Sequence, residues 1–221
     1  MPRPQPDGVD HFNNIPWCKE ILADRATTTF TPSHRQKPDI NNFVRSQDQL
    51  LRHSLSTPST IPYCIGLYQN PNLLEAAKRP APATSGQRFL INEVTLLFDL
   101  QAGVNGYQGT THGGLMSVLL DEVMGNLIFM HNSVDSSLRS LAQTISLDVL
   151  NLNGKAAVTA GLSVKYLKPL RTPQVVAAKA KLSRIEGRSI FIEGSIENGE
   201  GTVFAIGQSE WKLVSIRPGR L

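Results

Sequence analysis

The stretch Thr110-Thr111-His112-Gly113-Gly114-Leu115-Met116-Ser117-Val118-Leu119-Leu120-Asp121-Glu122-Val123-Met124-Gly125 decides how the rest of the chain is read. From Gly113 to Met130 apolar residues fall on nearly every side of a helical repeat, which predicts a helix buried all round. Two details run against that pattern. Adjacent glycines in a helical turn cost about 1 kcal/mol each relative to alanine, so another reason must favour them. The first amides of a helix lack an intrahelical acceptor and sit at the positive end of its dipole, and a glycine there lets an oxygen gaining negative charge come close. Asp121 follows Gly114 by nearly two turns, on the same face and about 10 Å along the axis. An acid on an apolar helix must be paired, hydrogen-bonded or chemically engaged, unless Asp121 and Glu122 are simply its solvated edge. Glu122, turned about 100° from Asp121, is expected to meet solvent or a partner subunit.

Working outward, Phe89 to Leu100 reads as a buried strand, followed by a loop holding Gly103, Gly106 and Gly109. Beyond the helix come a loop, Asn132 to Ser137, and strand candidates at Leu138 to Leu150, Ala156 to Leu167, Gln174 to Ile185, Ser189 to Ile196 and Thr202 to Val214. Turn residues separate them at Asn151 to Gly154, Pro169 to Pro173, Glu186 to Arg188 and Asn198 to Gly201, the last three read as hairpins. This is an α+β plan, in which an antiparallel sheet wraps the one apolar helix.

Residues 86–221 hold that domain, and residues 1–85 form an extension rich in Pro, Ser, Thr and Asn, with short helical patches at Ile15 to Leu22 and Phe43 to Leu55. The prolines and glycine of Lys78 to Gly86 mark its end. Phe12, Trp17, Phe43 and Tyr63 suit a segment that folds across the domain or a neighbour, and a loosely ordered tail fits equally.

The 221 residues are 40% hydrophobic and 18% charged, enough apolar material for a substantial core. A net charge of +4 with no cluster of Lys and Arg argues against nucleic acid as a partner. Cys18 and Cys64 lack metal-ligand spacing and read as buried small residues in a reducing compartment, with no metal expected. Neither a leader nor a membrane span is legible, which leads to the expectation of a cytoplasmic protein, a mitochondrial one remaining open. A Gly-x-Ser-x-Gly elbow, a phosphate loop and a dinucleotide fingerprint are all missing.

His112, Gly113, Gly114, Asp121 and Gly125 together resemble the signature of hotdog-fold acyl-CoA thioesterases of the phenylacetate-degradation and 4-hydroxybenzoyl-CoA type. Thr159 to Pro169 is similar to that family's strand ending in an aromatic residue and proline, and the likeness spans about Phe89 to Val214. It implies a sheet-wrapped helix, a homodimer or dimer of dimers, and an acyl thioester at the subunit interface, with coenzyme A only as part of the substrate and no other cofactor. The resemblance further implies that Asp121 serves as nucleophile or as general base for water, that the Gly114 amide polarises the carbonyl, and that His112 shapes the loop. Thr159 takes the place of a hydroxyl that holds the attacking water. Gly113, Asn105 and Glu122 border the substrate. Where some relatives carry Asn six residues before the His, this chain has Gly106, with Asn105 the nearest Asn.

Two other readings remain. A hydratase on the same fold needs an Asp clustered with Asn105 and His112, and the nearest upstream acid, Asp99, lies inside a predicted strand. A non-hydrolytic member would bind an acyl thioester or another apolar metabolite, its extension covering the site or mediating assembly.

Overall fold

The computed structural model describes residues 8–36, 48–69, 72–80, 86–141 and 143–215. Its framework is one antiparallel sheet of seven strands: β1 (Thr27–Phe30), β2 (Cys64–Gln69), β3 (Glu93–Leu100), β6 (Lys155–Tyr166), β7 (Gln174–Glu186), β8 (Ser189–Glu197) and β9 (Val203–Ser215). They are ordered β1-β2-β3-β7-β8-β9-β6. The short α3 (Leu73–Lys78) precedes β3, and a small two-stranded ribbon, β4 (Asn105–Tyr107) with β5 (Thr110–Thr111), leads into α4 (Gly113–Ser140). This is the hotdog fold, the sheet curling around α4.

The sheet has two differently covered faces. Leu96, Phe98, Val176 and Ala178 point into the core around α4. Their strand neighbours Leu97 and Ala177 face the other way, against Val9, Phe12 and Cys18 of α1 (Val9–Asn13) and α2 (Pro16–Ala23). A strand buried on both faces needs apolar residues without alternation, which is why β3 reads as a continuous hydrophobic run. On the inner face Gly194 and Gly207 pair across β8 and β9. A Cβ at Gly194 would lie 2.8 Å from the Met124 side chain, and one at Gly207 would lie 3.1 Å from that of Leu120. The glycine pair thus lets α4 settle directly onto the sheet.

Three expectations need correction. First, α4 does not end at Met130 but runs through the predicted loop Asn132 to Ser137 and into the predicted strand Leu138 to Leu150. His131 and Asp135 are buried on it, and Asp135 pairs with Arg139 one turn on at 2.8 Å, so the polar residues that suggested a loop continue the helix. Of residues 143–150, Val149 alone bridges a strand-like partner, Arg88. Second, Pro169 to Pro173 is no hairpin, because β6 pairs with β9 at the sheet edge while β7 lies between β3 and β8. The segment crosses under the start of α4, where the Thr111 N–H donates to the Leu170 carbonyl at 2.8 Å.

Third, the N-terminal segment contributes strands as well as helices. β1 and β2 extend the sheet beyond β3, and Gly66 makes room for the Phe30 ring. α2 matches the predicted patch at Ile15 to Leu22, whereas the second patch becomes one π-helical turn, Leu50–Ser54. Its Phe43 end lies outside the described residues, as do positions 81–85 of the predicted boundary.

Length and composition alone would let α4 cross a membrane, with only two acids in its apolar window. The sequence reading, in which Asp or Gly breaks every apolar stretch well before about 18 residues, predicts no span. In the fold, 56% of that window is buried inside the protein, as expected of a core helix.

Candidate active site

His112 caps α4. Its Nδ1 accepts the Gly114 N–H at 2.9 Å, and its carbonyl accepts the Leu115 N–H at 2.9 Å. The Gly114 amide, expected to face a substrate carbonyl, is therefore already engaged. Among the described residues no acceptor meets the Gly113 N–H. Gly106 sits under the histidine: a Cβ there would lie 3.0 Å from the His112 Cα, so a side chain at this position would have to move the cap. The Asn105 Oδ1 instead accepts the Thr172 hydroxyl, tying the ribbon to the crossing segment.

The helix tip is pinned from a second side. Tyr166, at the end of β6, donates its hydroxyl to the Gly113 carbonyl at 3.0 Å and lies 2.7 Å from the Ser117 hydroxyl. The peptide unit between Gly113 and Gly114 is thereby held through its N–H by His112 and through its carbonyl by Tyr166. Sequence reading quoted Tyr166 only as part of a strand motif and gave Ser117 no role. The spacing of Ser117 one turn before Asp121 was the available signal.

Seven residues earlier on β6, the Thr159 hydroxyl donates to Asp121 Oδ1 at 2.9 Å. Thr159 precedes an irregularity in the β6–β9 ladder, whose register jumps between Thr159 and Gly161. A bulge of this kind re-aims a side chain at a functional site. Asp121 is half-buried, and burial raises its pKa above the ordinary carboxylate value. The Thr159 hydrogen bond opposes that rise, and the neighbouring charge of Glu122 adds to it. The fifth residue of the signature has a packing role, since a Cβ at Gly125 would stand 3.3 Å from the Trp211 ring.

Asp121 borders a groove of about 390 Å³ together with Ser117, Val118, Leu162, Glu122 and the turn at Leu50 and Leu51. Where the sequence predicts that Glu122 meets solvent or a partner subunit, its Oε1 meets the N-terminal segment. Its Oε1 lies 2.6 Å from Nδ1 of the buried His34 and accepts the Asn126 Nδ2 at 2.7 Å. Asp99, considered for a hydratase, is buried on β3 and 3.0 Å from His11 Nε2 of α1. Cys18 and Cys64 are both buried free thiols, and burial pushes the Cys18 thiol up to about 12.

The capped glycine tip and the half-buried acid below it place the candidate site at the start of the central helix of a hotdog domain. Residues 108–205 match the family model of the thioesterase superfamily. Verlamelin biosynthesis protein B of a Lecanicillium species is 25% identical over 228 residues, covering 98% of this chain and 94% of that protein. MIOREX complex component 3 of Saccharomyces cerevisiae is 29% identical over 105 residues, 48% of this chain and 32% of the yeast protein, so the likeness spans about a third of that longer chain. Among solved structures, the PaaI protein of E. coli superposes with a TM-score of 0.43 at 15% identity, covering 56% of this chain and 73% of its own. A Bacillus halodurans protein solved with CoA gives 0.40 at 23% identity, covering 54% of this chain and 66% of that one.

Proposed function

We propose that this protein hydrolyses acyl thioesters carried on coenzyme A or a pantetheine arm, with Asp121 as the group that attacks the carbonyl or activates the attacking water. The observation that carries the reading is the half-buried Asp121 carboxylate, oriented by Thr159 and bordering a groove below the helix tip. A base raised toward the working pH accepts a proton more readily than an ordinary carboxylate, and such a base typically contributes about 10²–10⁴-fold. The Gly113 N–H, at the positive end of α4, is the donor best placed for the developing oxyanion, a single donor of this kind being worth about 10²–10³-fold. Glu122 holds the wall of the site, and Asn105 holds the loop beneath it. The same reading expects two copies to join along β6, whose outer side ends the sheet.

The experiment is thiol release from a panel of acyl-CoA thioesters by the purified protein and by Asp121→Ala. Hydrolysis lost in the variant supports the reading, and equal rates in both remove Asp121 from the chemistry. A second reading, binding of a thioester without hydrolysis in a biosynthetic pathway, is favoured by the near full-length likeness to a protein named for verlamelin biosynthesis and by the engaged Gly114 amide. Calorimetric binding of acyl-CoA without thiol release would establish it over the first.

A further inference from the structure

The groove beside Asp121 has walls from two parts of the chain. Val118 and Leu162 come from α4 and β6, while Leu50 and Leu51 come from the Leu50–Ser54 turn of the N-terminal segment. Leu51 is rooted in the main core, but Leu50 is 51% exposed. An uncovered aliphatic side chain beside other aliphatics gains from an occupant of the same kind, and the volume falls in the range of small-ligand sites. The polar groups that close the groove, Ser117, Asp121 and Glu122, are neighbours on α4. Asp48, also on its margin, lies 3.5 Å from the Arg52 guanidinium.

The turn is tied to the helix through a short relay. Arg52 donates to the carbonyls of Ser33, at 3.1 Å, and of Gln36. The Ser33 N–H in turn donates to Asn126 Oδ1 at 3.1 Å, and His34 meets Glu122, the residue next to Asp121. The position of the leucine wall is thus set against α4 by polar contacts, those at Ser33 and His34 half-buried, as well as by the wall's own packing.

We infer that this turn is the acyl-chain wall of the site: the groove takes a straight aliphatic acyl chain with its carbonyl end at Asp121, and the N-terminal segment sets the chain length preferred. The inference rests on the thioester reading above. Burying a methylene is worth about fourfold in affinity, so selectivity should climb with each carbon until the walls end.

The test uses the full chain and S-alkyl coenzyme A thioethers of two to twelve carbons, which bind without being cleaved. In the wild type, affinity is expected to rise about fourfold per methylene over several carbons. Leu50→Ser and Leu162→Ser, with folding checked by circular dichroism, should each lower the ratio of twelve-carbon to two-carbon affinity by about tenfold. A wild-type affinity indifferent to chain length, or a ratio unchanged in both folded variants, overturns the inference. Thioester hydrolysis measured alongside separates the two ideas. Turnover with no dependence on Leu50 or Leu162 leaves the hydrolase and sinks the wall, and graded thioether binding without turnover does the reverse.

Discussion

Thr159 and Asp121 meet through one hydrogen bond of 2.9 Å that joins the edge strand to the central helix. Because the hydroxyl donates, it stabilises the charged carboxylate and fixes which oxygen remains available. Asp121→Asn keeps the size of the side chain and an oxygen for Thr159 while removing the basic lone pair. Turnover of an acyl-CoA substrate is expected to fall at least about a hundredfold with melting temperature near that of the wild type. Equal turnover in a folded Asp121→Asn protein would end the assignment.

The pH dependence follows from the same pair. Burial raises the Asp121 pKa, so kcat/KM should rise with pH on an acid limb lying above the ordinary carboxylate value and then level off. Thr159→Val removes the one contact that lowers this pKa, and the limb should move to higher pH. In the folding equilibrium a raised acid binds its proton more tightly when folded. Its contribution is therefore favourable below the unfolded value and is lost as pH rises through the folded one. Denaturant titrations across that window should show Asp121→Asn gaining on the wild type as pH increases, and a constant difference would contradict the shift.

How much of this was legible beforehand differs by region. The helix start, the buried strand β3 and the hairpins β7–β8 and β8–β9 follow from glycine placement, unbroken apolar runs and turn residues, all of them local signals. Thr159 was legible because it lies on a strand with a recognisable ending, seven residues before Tyr166. The end of α4 was not, since Asn132, Ser133, Asp135 and Ser137 look like a loop until one sees that Asp135 is buried against Arg139. Strand order was equally hidden, because the residues of Pro169 to Pro173 give a turn but not the partner of the strand that follows. Nor does any local pattern announce that Glu122 bonds His34, 88 positions away.

Tyr166 is expected to act as a positioning residue for the helix tip. Its hydroxyl holds the Gly113 carbonyl, so Tyr166→Phe frees the peptide that orients the candidate oxyanion donor without emptying the space of the ring. The effect should appear as a drop in kcat of about tenfold with KM nearly unchanged, the mark of an interaction that matters in the transition state. A purely structural tyrosine would lower melting temperature and leave kcat alone, which is the contrary result to look for.

His131 supplies the sharpest stability prediction. It is fully buried on α4, stacked on Phe89 with ring centroids 4.2 Å apart, and both ring nitrogens are used. Nδ1 accepts the Leu90 N–H at 3.1 Å while Nε2 donates to the Leu150 carbonyl at 2.8 Å, clamping together the two segments that flank the sheet's entrance and the helix end. That geometry requires the neutral ring, and burial lowers the His131 pKa below its ordinary value, the Leu150 contact opposing the shift. His131→Leu removes two hydrogen bonds to buried backbone groups, each worth about 0.5–1.5 kcal/mol net, so a loss of about 1–3 kcal/mol is expected in denaturant unfolding. The pH signature carries the opposite sign to that of Asp121. A histidine with a lowered folded pKa contributes fully above the unfolded value, and that contribution fades as pH falls below it. Stability of the wild type should therefore decline from about pH 6.5 downward, and the decline should be shallower in His131→Leu. Parallel curves for the two proteins would show that the ring titrates freely and that the clamp is not what holds these segments.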